Sequence, residues 1–241
     1  RTSFVLTPPL VRFDRQLFGG TGLAVVVAAM EALSEREALW ATVQFVGTAA
    51  EGERIAVHAE ELARGGTTSQ VRVTATVDDR IVLAGLGSTA RRRDGGFAAS
   101  FGTMPTVAPP EECAPLTFGA AMPPPQMRER GPFAIGDYRV APGLHDSQYV
   151  WARMDGLTVD RPLLAYVADF VPSAVLRAVG KLGGGTSLDN AMRFGPSVPA
   201  GTEWVLLDSD PYFADNGFVH GAARVWAEDG TLLSVATQSA V

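Results

Sequence analysis

The chain has 241 residues, 46% hydrophobic and 19% charged, with 20 basic against 26 acidic side chains and a net charge of −6. The apolar content excludes a disordered chain, and Cys113, standing alone, excludes a disulfide framework. Basic residues gather only at Arg91-Arg92-Arg93 and from Arg128 to Arg130, without interleaved aromatics, so no nucleic-acid partner is expected.

The length allows one or two domains with a core that needs no staples. The longest purely apolar run, Leu23 to Met30, is far shorter than the roughly 20 residues that span a bilayer, so no membrane insertion is expected. Nothing after Arg1 reads as a secretory signal, and a cytoplasmic location is the expectation.

In chain order, Gly22 to Leu33 is dense in Ala, Leu, Val and Met and predicts a buried helix. Strands are predicted over Ala38–Val46, Arg54–Leu62, Gln70–Val77 and Ile81–Ala90. In the third, Val71, Val73, Ala75 and Val77 alternate with polar residues, the period of a half-buried strand. Asp78-Asp79-Arg80 turns it back into a hairpin. From Arg91 to Pro132 the periodicity stops, and eight of the 16 prolines fall between Pro105 and Pro132. Proline lacks a donor and fixes φ, so this stretch reads as an extended connector. The predicted division is 1–92, a linker over 93–135, and 136–241.

The second half repeats the order of the first. A strand at Tyr149–Met154 precedes a helix from Arg161 to about Val179, with Pro162 in its first turn. Further strands are predicted over Ser187–Phe194, Trp204–Leu207, Phe218–Trp226 and Thr231–Gln238. The last hairpin aligns with Gln70–Ala84 at an offset of 150 residues. A helix plus an antiparallel sheet, used twice, makes the chain α+β.

Several chemistries lack their motif. There is no G-x-S-x-G elbow and no phosphate loop, and Gly20-Thr21-Gly22 lacks the third glycine of a dinucleotide fingerprint. His58, His145 and His220 are scattered and Cys113 has no partner at ligand spacing, so no metal site is expected.

Three places remain. Asp169 lies in the apolar run Leu163 to Val171, where an ionised carboxylate needs a hydrogen bond, a cation or a task. Its plainer readings are a salt bridge or a place on the helix's solvent stripe. Gly183-Gly184-Gly185-Thr186-Ser187-Leu188-Asp189-Asn190 permits close backbone approach, or is simply a turn into a strand. Gln238 ends a strand, where a glutamine is usually just solvated.

Taken together, these segments resemble the double-hotdog acyl-CoA thioesterases of the bacterial type II family. Phe18-Gly19-Gly20-Thr21 is similar to the family's Phe-Gly-Gly-Gln opening of its first helix, and Arg64 to Arg72 to the strand pair that follows. Tyr166-Val167-Ala168-Asp169 resembles its Tyr-x-Ser-Asp segment. Thr186-Ser187-Leu188-Asp189-Asn190, Glu203-Trp204-Val205-Leu206 and the terminal hairpin ending in Gln238 resemble its remaining strands.

The resemblance implies hydrolysis of a fatty acyl-CoA, a lipid-metabolic reaction, by a water held by Asp169, Ser187 and Gln238, with no cofactor. Such a set makes chemical sense, since a carboxylate takes the proton while a hydroxyl and an amide orient the water. Gly20 and Thr21, opening the first helix, are expected to offer N–H donors to the oxyanion. Departures fall at Thr21 for Gln, at Asn190 for His, and at Met192 to Gly195 for an aromatic-rich stretch. They bear on acyl preference. The first half shows no counterpart to the three residues, with Ser88 at the repeat position of Gln238, so one site per chain is expected.

The implied fold is two hotdog units fused through their sheet edges into one continuous sheet, with dimerisation expected. Arg91-Arg92-Arg93 reads as a CoA phosphate contact or, more plainly, as a solvated cluster. The rival functions are an acyl-thioester-binding pseudoenzyme and a hotdog enoyl-thioester hydratase, whose Asp/His pair would have to draw on His145 or His220.

Overall fold

The computed structural model describes residues 1–92, 95–96, 99–117, 128–142, 148–181 and 185–241. Among these residues the period-two segments pair into a single antiparallel sheet of 12 strands. The first half contributes β1 (Thr2–Val5), β2 (Glu37–Phe45), β3 (Arg54–Arg64), β4 (Thr68–Val77) and β5 (Arg80–Ala90). The second contributes β6 (Ala114–Pro115), β7 (Gly136–Ala141), β8 (Gln148–Met154) and β9 (Ser187–Phe194). It continues with β10 (Val205–Asp215), β11 (Phe218–Ala227) and β12 (Leu232–Ala240).

The strand order is β1-β3-β4-β5-β2-β9-β12-β11-β10-β8-β7-β6, so that β1 to β5 are mirrored by β8 to β12. The mirror lies at the β2–β9 pair, where Thr42 faces Ala191. Here the two free edges meet, and the sheet is continuous across both halves as predicted. β4 and β11 have 10 residues each and begin 150 positions apart. The duplication is real.

β1, β6 and β7 were not foreseen, because each is short or lies beside the prolines. β10 runs past Leu207 to Asp215, and its bulge falls between Pro211 and Phe213. Asp208 and Asp210 break its apolar pattern, yet Arg224 on the neighbouring strand binds them at 2.8 and 2.5 Å.

Helix α1 (Gly19–Ser34) lies inside the curved sheet and buries Leu23, Val26, Val27 and Met30. β5 receives it through glycines. A Cβ on Gly85 would stand 2.8 Å from Val26 Cγ1, and one on Gly87 would stand 2.7 Å from Met30 Sδ. Helix α1 begins at Gly19, three residues ahead of expectation, despite the poor helix propensity of two glycines. The reason comes from the other half of the chain and is given below.

The single helix expected over 161–179 is two. Helix α2 (Arg161–Val167) is capped by Asp160, whose Oδ1 accepts from the Leu163 N–H at 2.8 Å, and it packs along α1. Helix α3 (Val171–Ala178) turns onto β10, β11 and β12, where Val171 and Val175 meet Val219, Ala223 and Ala240. Pro172 explains the break. It has no N–H for the Ala168 carbonyl, and its ring crowds the turn before it. Asp169 therefore sits at a junction between helices, not within one.

The proline-rich stretch is more than a spacer where it is described. Met104, Val107 and Ala108 pack on a second core of Cys113, Ala141, Trp151, Trp204, Leu206 and Trp226. Trp151 Nε1 donates to the Ala108 carbonyl at 2.9 Å. Burial pushes the Cys113 thiol up, away from reactivity. Pro123-Pro124-Pro125 lies outside the described residues.

Candidate active site

Three elements, α1, β9 and β12, converge on Asp169. The Gly20 N–H at the start of α1 donates to its Oδ2 at 2.9 Å. Gln238 Nε2, from β12, donates to its Oδ1 and also to Ser187 Oγ of β9 at 2.9 Å. A helix start leaves its first N–H groups without partners, and this carboxylate, from 149 residues away, caps α1 in place of a local side chain. That tertiary cap lets the helix begin on glycines.

The glycines are in turn required by the approach. A Cβ on Gly19 would lie 2.5 Å from Asp169 Oδ2, and one on Gly20 would overlap the Tyr166 carbonyl oxygen. Tyr166 is itself held, with its hydroxyl on the Pro9 carbonyl at 2.6 Å and its ring edge-on to Phe18.

Burial is the first influence on Asp169 and raises its pKa from 3.8 to about 6. Opposing it are the bonds from Gln238 and Gly20, the neighbouring Asn190 amide and the charge of Arg12. A carboxyl poised there is ionised at neutral pH and still basic enough to take a proton. Arg12 also ties its own loop to the Gly185 carbonyl and Thr186 Oγ1, both at 3.3 Å.

Asp169 and Ser187 open onto a cavity of about 310 Å³. Phe13, Phe18, Phe45, Phe133 and Phe170 form much of its wall. Gln238 stands behind them, 1% exposed, its Oε1 without a partner among the described residues.

A strand irregularity matters here. Gln238 is opposite Asn190, but Ala240 is opposite Ser187, with a register shift between Ser239 and Ala240. Three residues apart, Ser187 and Asn190 would face opposite sides of a regular strand. The shift brings Ser187 to the side of Asn190.

Of the residues predicted, Asp169, Ser187, Gln238 and the Gly20 amide are brought together. Thr21 is not part of the group by its side chain, because its hydroxyl is spent on the Leu10 carbonyl at 3.0 Å and the residue is buried away from the cavity wall. Gly20's N–H is already committed to Asp169, and Gly19 is the first-turn residue that lines the cavity. Asn190 was read only as a departure. It is fully buried beside Asp169, close enough for its amide to lower the Asp169 pKa, though neither amide atom finds a well-aligned partner among the described residues. Its inward position two residues before buried Met192 was the signal available in the sequence.

Arg12 and the aromatic wall gave no such signal. Gly183 and Gly184 lie outside the described residues, as does His145. His220 sits away from the cavity, bonded to Ser239 Oγ at 3.0 Å and stacked on Phe213. Among the described residues no group of His, Cys, Asp and Glu is placed to hold a metal, and no helix is long and apolar enough to cross a membrane. In the first half Ser88 Oγ donates to the Ser69 carbonyl at 3.0 Å.

This fold and this site have known counterparts. The acyl-CoA thioesterase N-terminal domain matches residues 7–90, and the acyl-CoA thioesterase C-terminal domain matches residues 110–241. The chain belongs to the acyl-CoA thioesterase family, with the double-hotdog fold, and is a thioester hydrolase.

A protein provisionally named a thioesterase, from Novosphingobium aromaticivorans DSM 12444, is 29% identical, covers 99% of this chain and 94% of its own, and superposes with a TM-score of 0.87. Acyl-CoA thioesterase II TesB2 from Mycobacterium marinum is 22% identical over 92% of this chain and 87% of its own, at a TM-score of 0.72. A hot dog fold protein of unknown function from Alicyclobacillus acidocaldarius is 22% identical over 94% and 87%, at 0.80. No curated protein matches the chain.

Proposed function

We propose that this enzyme hydrolyses an acyl-CoA with Asp169 as general base. The reading is carried by one observation, a carboxylate held by Gly20 and Gln238 at the wall of an apolar cavity with its pKa near 6. Water positioned by Asp169 and Ser187, both held from behind by Gln238, attacks the thioester carbonyl as Asp169 takes its proton. The oxyanion formed meets first-turn N–H groups of α1, Gly19 being the one at the cavity wall. The C–S bond then breaks, and the CoA sulfur leaves with the proton from Asp169.

The five phenylalanines of the cavity wall favour an apolar acyl group. Two units, 1–92 and 136–241, joined by 93–135 and associating further into a dimer in the cytoplasm, belong to the same reading.

Thiol release from acyl-CoAs of graded chain length tests it. Protonated Asp169 cannot accept a proton, so kcat/KM is expected to be level at neutral pH and to fall about tenfold per pH unit below about 6. No thiol release at any chain length, or release that is flat through pH 5, overturns the assignment.

A further inference from the structure

Strand β9 lies at the seam between the halves, paired with β2 on one side and with β12 on the other. On it Asn190, 0% exposed, stands opposite Val43 in one pair and opposite Gln238 in the other. Directly opposed residues of antiparallel strands have Cβ atoms about 4.5–5.5 Å apart, so the Asn190 and Gln238 amides are neighbours on one face. A buried amide left without partners is costly, and the polar groups near this one are few.

Gln238 spends its Nε2 hydrogens on Asp169 Oδ1 and Ser187 Oγ, and its Oε1 has no partner among the described residues. The arrangement has a competitor. Turned over, the Gln238 amide would aim an oxygen at the Asp169 carboxylate and give up both bonds. Asn190 is the side chain across the strand that opposes this turn, since Nδ2 carries one hydrogen for Gln238 Oε1 and one for Asp169. Its amide already acts on Asp169, working against burial together with the bonds from Gln238 and Gly20.

We propose that Asn190 is a positioning residue of the hydrolytic site, its amide bracing Gln238 and completing the donors around the Asp169 carboxylate. The inference rests on Asp169 being the base. It adds a residue that touches neither water nor substrate, for Asn190 is fully buried and takes no part in the cavity wall.

The other groups facing Asp169 set the direction of the effect. Arg12 brings a positive charge from the loop before α1, paired with Asp14 at 2.7 Å. The first turns of α1 and α3 and the stretch of β12 around Gln238 hold no titratable side chain. Tyr166 of α2 is kept neutral by burial, with its hydroxyl on the Pro9 carbonyl. Asp189 turns to the opposite face of β9 and accepts the Ser239 N–H at 3.1 Å. The Asn190 amide favours the ionised carboxylate, so its removal raises the Asp169 pKa above about 6.

Asn190→Ala tests this with two readouts: the pH profile of thiol release, and the carbon-13 NMR titration of the Asp169 carboxyl, identified by its loss in Asp169→Asn. Both midpoints are expected to rise by about one pH unit, so that kcat falls about fivefold more at pH 6 than at pH 8 with KM unchanged. Should the void left by alanine prevent folding, Asn190→Thr fills it, suits a strand and still lacks the amide. A residue that only fills space would shift the melting temperature and leave both midpoints in place, and that result in a folded variant overturns the proposal. If the wild-type chain releases no thiol while the Asp169 titration still moves in Asn190→Ala, the hydrolytic reading fails and the hold of Asn190 on Asp169 stands.

Discussion

Asp169→Asn is expected to cut thiol release by about a thousandfold, within the range that a positioned general base supplies. The substitution keeps the size of the side chain, and the amide oxygen can still accept the Gly20 N–H that Asp169 Oδ2 accepts now at 2.9 Å, while its Nδ2 replaces the acceptor of Gln238, whose amide must turn to present its Oε1. What disappears is the ability to take a proton from water. Folding is expected to survive. Burial has raised this carboxyl from 3.8 to about 6, so its ionised form is less favoured in the fold than in the unfolded chain. A neutral amide removes that cost at neutral pH. The melting temperature should hold or rise slightly as turnover falls, and the acid limb of the rate profile should vanish with it. Undiminished turnover with a folded variant would remove Asp169 from the mechanism.

Gly20→Ala should damage both stability and turnover. From helix propensity alone the change is favourable, since alanine is better than glycine by about 1 kcal/mol. The packing reverses the sign. The new Cβ would overlap the Tyr166 backbone carbonyl and stand 2.5 Å from the Phe18 ring. A backbone oxygen cannot rotate away, so α1 and α2 must part. Overpacking of this kind costs about 1–3 kcal/mol, and a displacement of about 1 Å at the Gly20–Asp169 bond is enough to lower kcat about a hundredfold. Gly66→Ala is the control, because nothing lies within 4 Å of its Cβ position. Thermal unfolding and kcat, measured on both, check the pair. A Gly20→Ala enzyme as stable and active as wild type would show that this contact yields.

The site was legible in parts. Asp169 announced itself as a charge in an apolar run, a conflict visible without coordinates. Ser187 and Gln238 carried weight only through resemblance, because a serine and a glutamine at strand ends are ordinary residues. Thr21 is expected to offer its N–H from its position at the helix start, and the structure adds only that its hydroxyl binds the Leu10 carbonyl. Asn190 reads in the sequence as a replacement, and only the fold shows it buried beside Asp169. The 161–179 helix was too long by one junction. Pro172 lies inside that apolar run, and a proline there either kinks one helix or opens a second, a choice that packing makes and the residue itself does not.

The strand periods, the repeat near 150 residues and the α+β class were determined by the sequence alone. Alternation and turn chemistry act between near neighbours, and a duplicated order survives even when identities fade. The tertiary structure alone decided that α1 starts on glycines and that a register shift turns Ser187 toward Asn190. These depend on which groups lose water and which partners arrive from 149 residues away. Burial and hydrogen-bond partners are long-range quantities, and the chemistry of Asp169 is made of both.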